Sequence, residues 1–273
     1  MASAFPPPAP AAVKLHPPTI LAFGDSNTFG ANATPGGFRY GPAVRWPGVL
    51  QGLLGKGGHV VEAGLNGRTC NTDDPQCTWL PPNPGQGELV NGRRHLLACL
   101  HSHKPLDVVI IALGVNDLKD RFHLSPRDIA AGMALLCADV RAAAAKGVAE
   151  GGIGQPQVLI VSPAPPPAAP TPNMEQWGFT GAHERALALE AEYARVADEA
   201  GPGVFFLSAR EAVAGSGDAD GGGGGDNGGG GAGDGDAAIG ADGIHLTPAG
   251  HARLGGAVAA MLKGVLGLKA KEA

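Results

Sequence analysis

The chain has 273 residues, with 20 Lys and Arg against 25 Asp and Glu and a formal net charge of −5. Its basic residues are scattered, which argues against binding to nucleic acid or to an anionic membrane. The length suffices for one large domain with a substantial core, and no stretch of about 20 residues is apolar enough to span a bilayer. Four cysteines are too few for a disulfide scaffold and lack paired metal-ligand spacing. Cys70 and Cys77 could pair in an oxidising compartment, but we expect reduced thiols.

The first 18 residues are rich in Ala and Pro and carry one positive charge, at Lys14. This segment has no apolar run of signal-peptide length, and it lacks acidic residues, as transit peptides do. We therefore expect a flexible segment over residues 1–18 and one domain over residues 19–268. The predicted location is the cytoplasm, and the alternative is an organelle reached through a transit segment at the N-terminus.

Five apolar runs are predicted to be β-strands, and most lack the polar alternation of strands that have one face in water. This pattern is typical of parallel strands covered on both faces. The runs are residues 20–23, 60–63, 108–113, 158–161 and 204–207. They suggest a doubly wound sheet of five strands.

Helical stretches lie between and after these strands. Residues 126–146 begin with a capping Ser125 and with Pro126 at the first helical position. Residues 183–200 carry an apolar stripe, and a last helix begins after Thr247 and runs toward Leu266. Alternating strands and helices with right-handed crossovers predict a three-layer α/β/α sandwich around a parallel sheet.

Two stretches interrupt this alternation. Residues 215–240 are nearly all Gly, Asp and Ala, so they cannot bury enough apolar surface to order themselves, and we expect a flexible acidic insertion. Its aspartates lack the regular spacing of calcium-binding repeats, so no metal site is predicted there. Residues 163–178 are rich in proline, too stiff for a helix, and are expected to fold over the end of a strand.

A candidate nucleophile, Ser26, follows the first predicted strand within Gly24-Asp25-Ser26. In parallel α/β sheets the loops after the strands form the ligand crevice, so Ser26, Gly67 and Asn116 can converge at one edge. Each motif also has an ordinary interpretation. Gly-Asp-Ser caps many helices, and the Gly-Val-Asn-Asp sequence that contains Asn116 is typical of a turn.

Asp242 and His245 are three residues apart, so a turn can bring the carboxylate to the imidazole and fix which ring nitrogen faces a serine. His251 is the main rival among nine histidines, but it lies inside the predicted last helix and lacks an acidic residue three positions before it. Ser26, His245 and Asp242 together predict a serine nucleophile, its base and the group that orients the base.

These blocks resemble those of the SGNH or GDSL-type hydrolases, whose hallmarks are a Gly-Asp-Ser nucleophile, a glycine donor, a Gly-x-Asn-Asp donor and an Asp-x-x-His pair. All four occur here in order, over about residues 19–266 apart from the Gly/Asp-rich insertion. The flanking residues are most similar to the small arylesterase/acyltransferase branch. The segments that carry this resemblance are Phe23-Gly24-Asp25-Ser26, Arg45-Trp46, Gly64-Leu65-Asn66-Gly67-Arg68-Thr69, Asp73-Asp74-Pro75, residues 106–111, Leu113-Gly114-Val115-Asn116-Asp117 and Asp242-Gly243-Ile244-His245.

The resemblance implies a flavodoxin-like three-layer fold with Ser26 as nucleophile, His245 as base and Asp242 as its partner. It also implies an oxyanion hole formed by the Ser26 N–H, the Gly67 N–H and the Asn116 side-chain amide, and it implies no metal or organic cofactor. Asn27 stands where the family's name has leucine. The branch's tendency to oligomerise leaves a homo-oligomer as an expectation.

The predicted activity is two-step hydrolysis of a small-molecule ester through an acyl-enzyme, with transfer of the acyl group to an alcohol as a second activity. Trp177 and Phe179 are candidate apolar walls of the substrate pocket, or else ordinary core residues. A carbohydrate O-deacetylase or a lysophospholipase would use the same machinery. A catalytically silent binding module on this fold is the alternative from a different class.

Overall fold

The computed structural model describes residues 17–32, 34, 36–77, 86–145, 152–214 and 237–266. Residues 1–16 of the predicted N-terminal segment and residues 215–236 of the predicted insertion lie outside this part of the chain. The flexibility of both segments, and the predicted domain bounds, therefore stay predictions.

Five parallel strands form one sheet, in the order β2-β1-β3-β4-β5. All five predicted strands are confirmed, with ends that differ from the predicted ones by at most one residue. The strands are β1 (Thr19–Gly24), β2 (His59–Gly64), β3 (Val108–Ala112), β4 (Gln157–Val161) and β5 (Val204–Leu207). This order is flavodoxin-like, and it places the topological switch point beside β1.

The helices of the described residues follow the strands in alternation. Three long ones match the predictions closely, and Ser125 caps the helix that begins at Pro126 in a reciprocal capping box with Asp128. The helices are α1 (Ser26–Phe29), α2 (Trp46–Leu54), α3 (Gln86–Leu89), α4 (Gly92–Ser102), α5 (Pro126–Ala144), α6 (Pro172–Trp177), α7 (Ala182–Ala200), α8 (Ala209–Val213) and α9 (Pro248–Leu266).

Two hydrophobic cores lie on opposite faces of the sheet. In β1, Leu21 and Phe23 pack into the core under α4, α5 and α7, whereas Ile20 and Ala22 pack into the core under α2, α8 and α9. Successive side chains of a strand point to opposite faces, so a continuous apolar run is what two covered faces require. The three-layer α/β/α sandwich is confirmed.

The expectation that residues 163–178 contain no helix is wrong. Helix α6 lies within them, beginning at Pro172 and ending at Trp177. The Thr171 side chain accepts a hydrogen bond from the Met174 N–H, and Pro172 occupies the first helical position, where its missing N–H costs nothing. Proline at that position favours the start of a helix, although it disfavours a helix interior.

None of the described helices has the length and hydropathy of a membrane span. None of the four cysteines forms a disulfide with another described residue. Within the same residues, no group of three His, Cys, Asp or Glu side chains is arranged to hold a metal ion.

Candidate active site

Ser26 begins α1 directly after β1, at the edge of the sheet where the carboxyl ends of the strands meet. The Asp25 carboxylate accepts a hydrogen bond from the Asn27 N–H at 2.9 Å and caps this single turn. The turn packs tightly on the sheet, because a Cβ at Gly24 would lie 2.8 Å from the Ala112 carbonyl oxygen and nearer still to Thr28. Ser26 is 5% exposed and lines a cavity at this edge.

His245 is held by Asp242 in the loop before α9. The imidazole Nδ1 lies 2.7 Å from Asp242 Oδ2, while Oδ1 accepts hydrogen bonds from the Ile244 and His245 N–H groups, both at 2.9 Å. Burial acts to raise the pKa of Asp242, but the hydrogen bonds from His245 and Ile244 lower it below its usual value. An ionised carboxylate can only accept, so Nδ1 carries the proton and Nε2 is left as the basic nitrogen.

Asn27 fastens this loop to the turn that carries the nucleophile. Its side-chain Nδ2 donates to the Ile244 carbonyl at 3.3 Å, and its Oδ1 accepts from the Leu246 N–H at 2.8 Å. Ile244 and Leu246, the neighbours of His245, are thus both hydrogen-bonded to Asn27, the residue that follows Ser26. Sequence reasoning missed this role, and its one signal was a polar residue where the family's name has leucine.

Gly67 and Asn116 line the same cavity as Ser26. Gly67 has φ +77°, a left-handed conformation that favours glycine. The Asn116 side chain donates one amide hydrogen to the Arg68 carbonyl at 3.1 Å, which leaves its second hydrogen for another acceptor. Among the described residues, the Ser26 and Gly67 backbone N–H groups have no acceptor. Three donors are therefore available to a ligand.

Two buried side chains join the loops that carry these donors. Asp117, next to Asn116, accepts the Cys70 N–H with both carboxylate oxygens at 3.0 Å. Burial raises the pKa of Asp117 to about 7. Arg68 donates to the Gly24 carbonyl at 2.7 Å and also to the Ala63 carbonyl, so it ties the ends of β1 and β2 together. Sequence reasoning did not assign either residue a structural role.

The cavity has a volume of about 490 Å³. All the predicted site residues line it except Asp242, which supports His245 through the carboxylate–imidazole contact. The Trp177 ring meets the His245 ring edge-to-face at 5.9 Å between centroids, and Phe179 is buried in the core as well as lining the cavity. No described residue hydrogen-bonds the Ser26 hydroxyl or His245 Nε2, so no other side chain competes for the groups that would exchange a proton.

His251 does not line this cavity. It is fully buried between α9 and α2, where its Nδ1 accepts the Trp46 N–H at 3.3 Å. Burial lowers the pKa of His251 to about 4, with smaller contributions from His245 and Arg45. It is a neutral core histidine.

Residues 22–253 match the model of the GDSL-like lipase/acylhydrolase family. The chain belongs to this family. The match confirms the predicted family and the predicted class of enzyme, a hydrolase of carboxylic esters. A comparison with curated proteins returned no match.

Solved structures of esterases resemble this GDSL-like chain over nearly their whole lengths. An aryl esterase of M. smegmatis is 35% identical, with a TM-score of 0.71, over 90% of this chain and 99% of the other. A carbohydrate acetylesterase from Sinorhizobium meliloti is 33% identical, with a TM-score of 0.70, over 91% and 99%. A lipase/acylhydrolase from Enterococcus faecalis, at 17% identity and a TM-score of 0.60, shares the fold. The SGNH hydrolase fold is confirmed.

Proposed function

We propose that the protein is a serine esterase of small carboxylic esters, with Ser26 as nucleophile, His245 as base and Asp242 as the partner of the base. The observation that carries this proposal is the Asp242–His245 contact of 2.7 Å on a cavity that Ser26 also lines. A core histidine would not need an ionised carboxylate on one nitrogen and an unbonded second nitrogen at a cavity. An oriented base on the same cavity as a serine is what acyl transfer uses, and the hydrogen bond between Ser26 Oγ and His245 Nε2, which is not among the described contacts, would form as the substrate binds.

In the first step, Ser26 Oγ attacks the ester carbonyl carbon and His245 Nε2 takes the hydroxyl proton. The carbonyl oxygen becomes an oxyanion, and the N–H groups of Ser26 and Gly67 and the free amide hydrogen of Asn116 donate to it. The intermediate then collapses, the bond to the alcohol breaks, and the imidazolium gives its proton to the departing alkoxide. Asp242 stabilises the imidazolium while the charge exists.

In the second step, water attacks the acyl-enzyme with His245 as base and releases the acid. An alcohol that binds in place of water would give a new ester, so acyl transfer is a second proposed activity. Trp177 packs edge-to-face against the His245 ring, and Phe179 supplies a further apolar surface of the same cavity. An apolar wall there favours the alcohol over water.

An O-acetylated carbohydrate is a second candidate substrate. Polar side chains line the cavity beside the aromatic ones, among them Gln76, Gln176 and Asn66. Among the described residues, Asn66 Oδ1 is buried without a hydrogen-bond donor. A sugar hydroxyl would supply that donor, and a simple aryl ester would not.

The test is release of 4-nitrophenol from its acetate, butyrate and octanoate esters, together with release of acetate from acetylated methyl glucoside. Wild type, Ser26→Ala and the exposed control Ser102→Ala are compared after circular dichroism shows that all three are folded. We expect wild type and Ser102→Ala to be equally active and Ser26→Ala to be inactive. Hydrolysis by Ser26→Ala at the wild-type rate, or a folded wild type that hydrolyses none of the esters, would overturn the proposal.

The homo-oligomer and the cytoplasmic location stay predictions from the sequence.

A further inference from the structure

Lys119 brings an ammonium group to the same cavity as Ser26 and His245. It follows the short 3-10 helix Asn116–Leu118, so it lies three residues beyond the proposed oxyanion donor. The residue is only 9% exposed, yet its Nζ donates no hydrogen bond to any described residue. Nζ is not one of the fully buried polar atoms, so its three donors open onto the cavity, where a ligand can accept from them.

The carboxylate nearest to Lys119 is already engaged by another cation. Asp74 is fully buried, and its Oδ2 lies 3.7 Å from Lys119 Nζ, which is an ion pair without a hydrogen bond. Arg121 donates to both oxygens of the same carboxylate, at 3.0 and 2.6 Å. Two cations thus share one anion, and this group of Asp74, Lys119 and Arg121 has a net charge of +1.

The surroundings of Lys119 offset this excess charge only in part. Burial and the positive charge of Arg121 lower the pKa of Lys119, although Asp74, Cys77 and Asp117 act in the opposite direction. The Phe179 ring lies 5.7 Å from Nζ and provides a weak cation–π contact. A carboxylate oxygen placed at Nζ would supply both the missing acceptor and the missing negative charge.

We propose that Lys119 is the binding subsite for a carboxylate carried by the ester substrate. The substrate class is then a half-ester of a dicarboxylic acid or an ester of a carboxylate-bearing alcohol. This inference rests on the proposed esterase function and specifies its substrate. A neutral hydroxyl at the same place would also accept from the ammonium, but it would bring no negative charge to a group whose net charge is +1.

The test compares kcat/KM for two pairs of esters that differ in one carboxylate. 4-Nitrophenyl hydrogen glutarate is paired with 4-nitrophenyl valerate to probe the acyl side. 4-Acetoxybenzoate is paired with 4-methylphenyl acetate to probe the alcohol side, and every rate is divided by the rate of alkaline hydrolysis. Wild type is compared with Lys119→Met, Lys119→Arg and the exposed control Lys56→Met, with Ser26→Ala as the blank.

We expect wild type to prefer the carboxylate ester in at least one pair, by about tenfold to a hundredfold and mainly through a lower KM. Lys119→Met should lose that preference, Lys119→Arg should keep most of it, and Lys56→Met should keep all of it. Free glutarate or benzoate should inhibit wild type more strongly than Lys119→Met.

Equal values within both pairs for wild type would overturn the inference while leaving the esterase proposal in place. A preference that survives in Lys119→Met would do the same. A preference for neutral acetylated methyl glucoside that depends on Lys119 would replace the carboxylate by a sugar hydroxyl. Absence of Ser26-dependent hydrolysis of the neutral esters would instead count against the esterase function itself.

Discussion

Replacing Asn27 by leucine tests whether the nucleophile turn holds the catalytic base in place. Leucine has a similar size, but it can neither donate to the Ile244 carbonyl nor accept from the Leu246 N–H. Both of these residues are buried. A buried polar group left without a partner costs about 1–3 kcal/mol, so the two groups together cost roughly 2–6 kcal/mol if the loop stays where it is.

The loop can recover part of that free energy by shifting, and His245 would then shift with it. A displacement of about 1 Å in a reacting group can cost on the order of 10²-fold in rate. We therefore expect Asn27→Leu to lower kcat by about tenfold to a hundredfold. KM should change by less than about twofold, because Asn27 does not line the substrate cavity.

The assay is steady-state hydrolysis of 4-nitrophenyl acetate at a temperature where circular dichroism shows a native spectrum. Asn27→Asp keeps the acceptor for the Leu246 N–H but loses the donor to Ile244, so its kcat should lie between wild type and Asn27→Leu. Asn71→Ala, at an exposed position, is the matched control and should behave as wild type. If folded Asn27→Leu retains the wild-type kcat, or if only KM rises, Asn27 does not position the base.

Two further predictions follow from the groups around Ser26. Asn116→Ala should lower kcat by about 10²- to 10³-fold with an unchanged circular dichroism spectrum, because one oxyanion donor is lost, and near wild-type turnover would remove Asn116 from the oxyanion hole. Burial raises the pKa of Asp25 from 3.8 to about 6, so the unfolded chain binds fewer protons than the folded one between these values. The free energy of unfolding of wild type should therefore fall relative to Asp25→Asn, which keeps the helix cap, by on the order of 2 kcal/mol as the pH rises from 4 to 6. Urea titrations of both proteins at several pH values measure this difference, and a constant or growing advantage of wild type would contradict it.

The strands were predictable because burial on both faces requires a continuous run of apolar residues in the sequence. Ile20 and Leu21 are adjacent and enter different cores, so no polar residue interrupts the run. Helix α6 was not predicted, because its local signals conflicted with the composition of the stretch around it. Its signals, a capping Thr171 and a Pro172 at the first position, were present, but they stood in a proline-rich stretch that otherwise disfavours helices.

In the candidate site, too, contacts between residues near in sequence could be predicted and contacts between distant residues could not. Asp242 and His245 are three residues apart, so one turn brings them together and their pairing could be predicted from spacing. Contacts between distant parts of the chain have no characteristic spacing in the sequence. Asp117 bonds the backbone 47 residues away, and Asn27 bonds a loop more than 200 residues away. These contacts depend on the parallel sheet placing its strand ends side by side, which only the folded structure shows.

The central claim is that the ester's acyl group passes through a covalent bond to Ser26. Wild-type protein mixed rapidly with 4-nitrophenyl butyrate, quenched in acid and digested gives peptides whose masses can be measured. The account predicts a butyryl group on the peptide that contains Ser26, and a burst of 4-nitrophenol close to one equivalent if deacylation is the slower step. A butyryl group on another residue during turnover, or one that forms equally in Ser26→Ala, would contradict it.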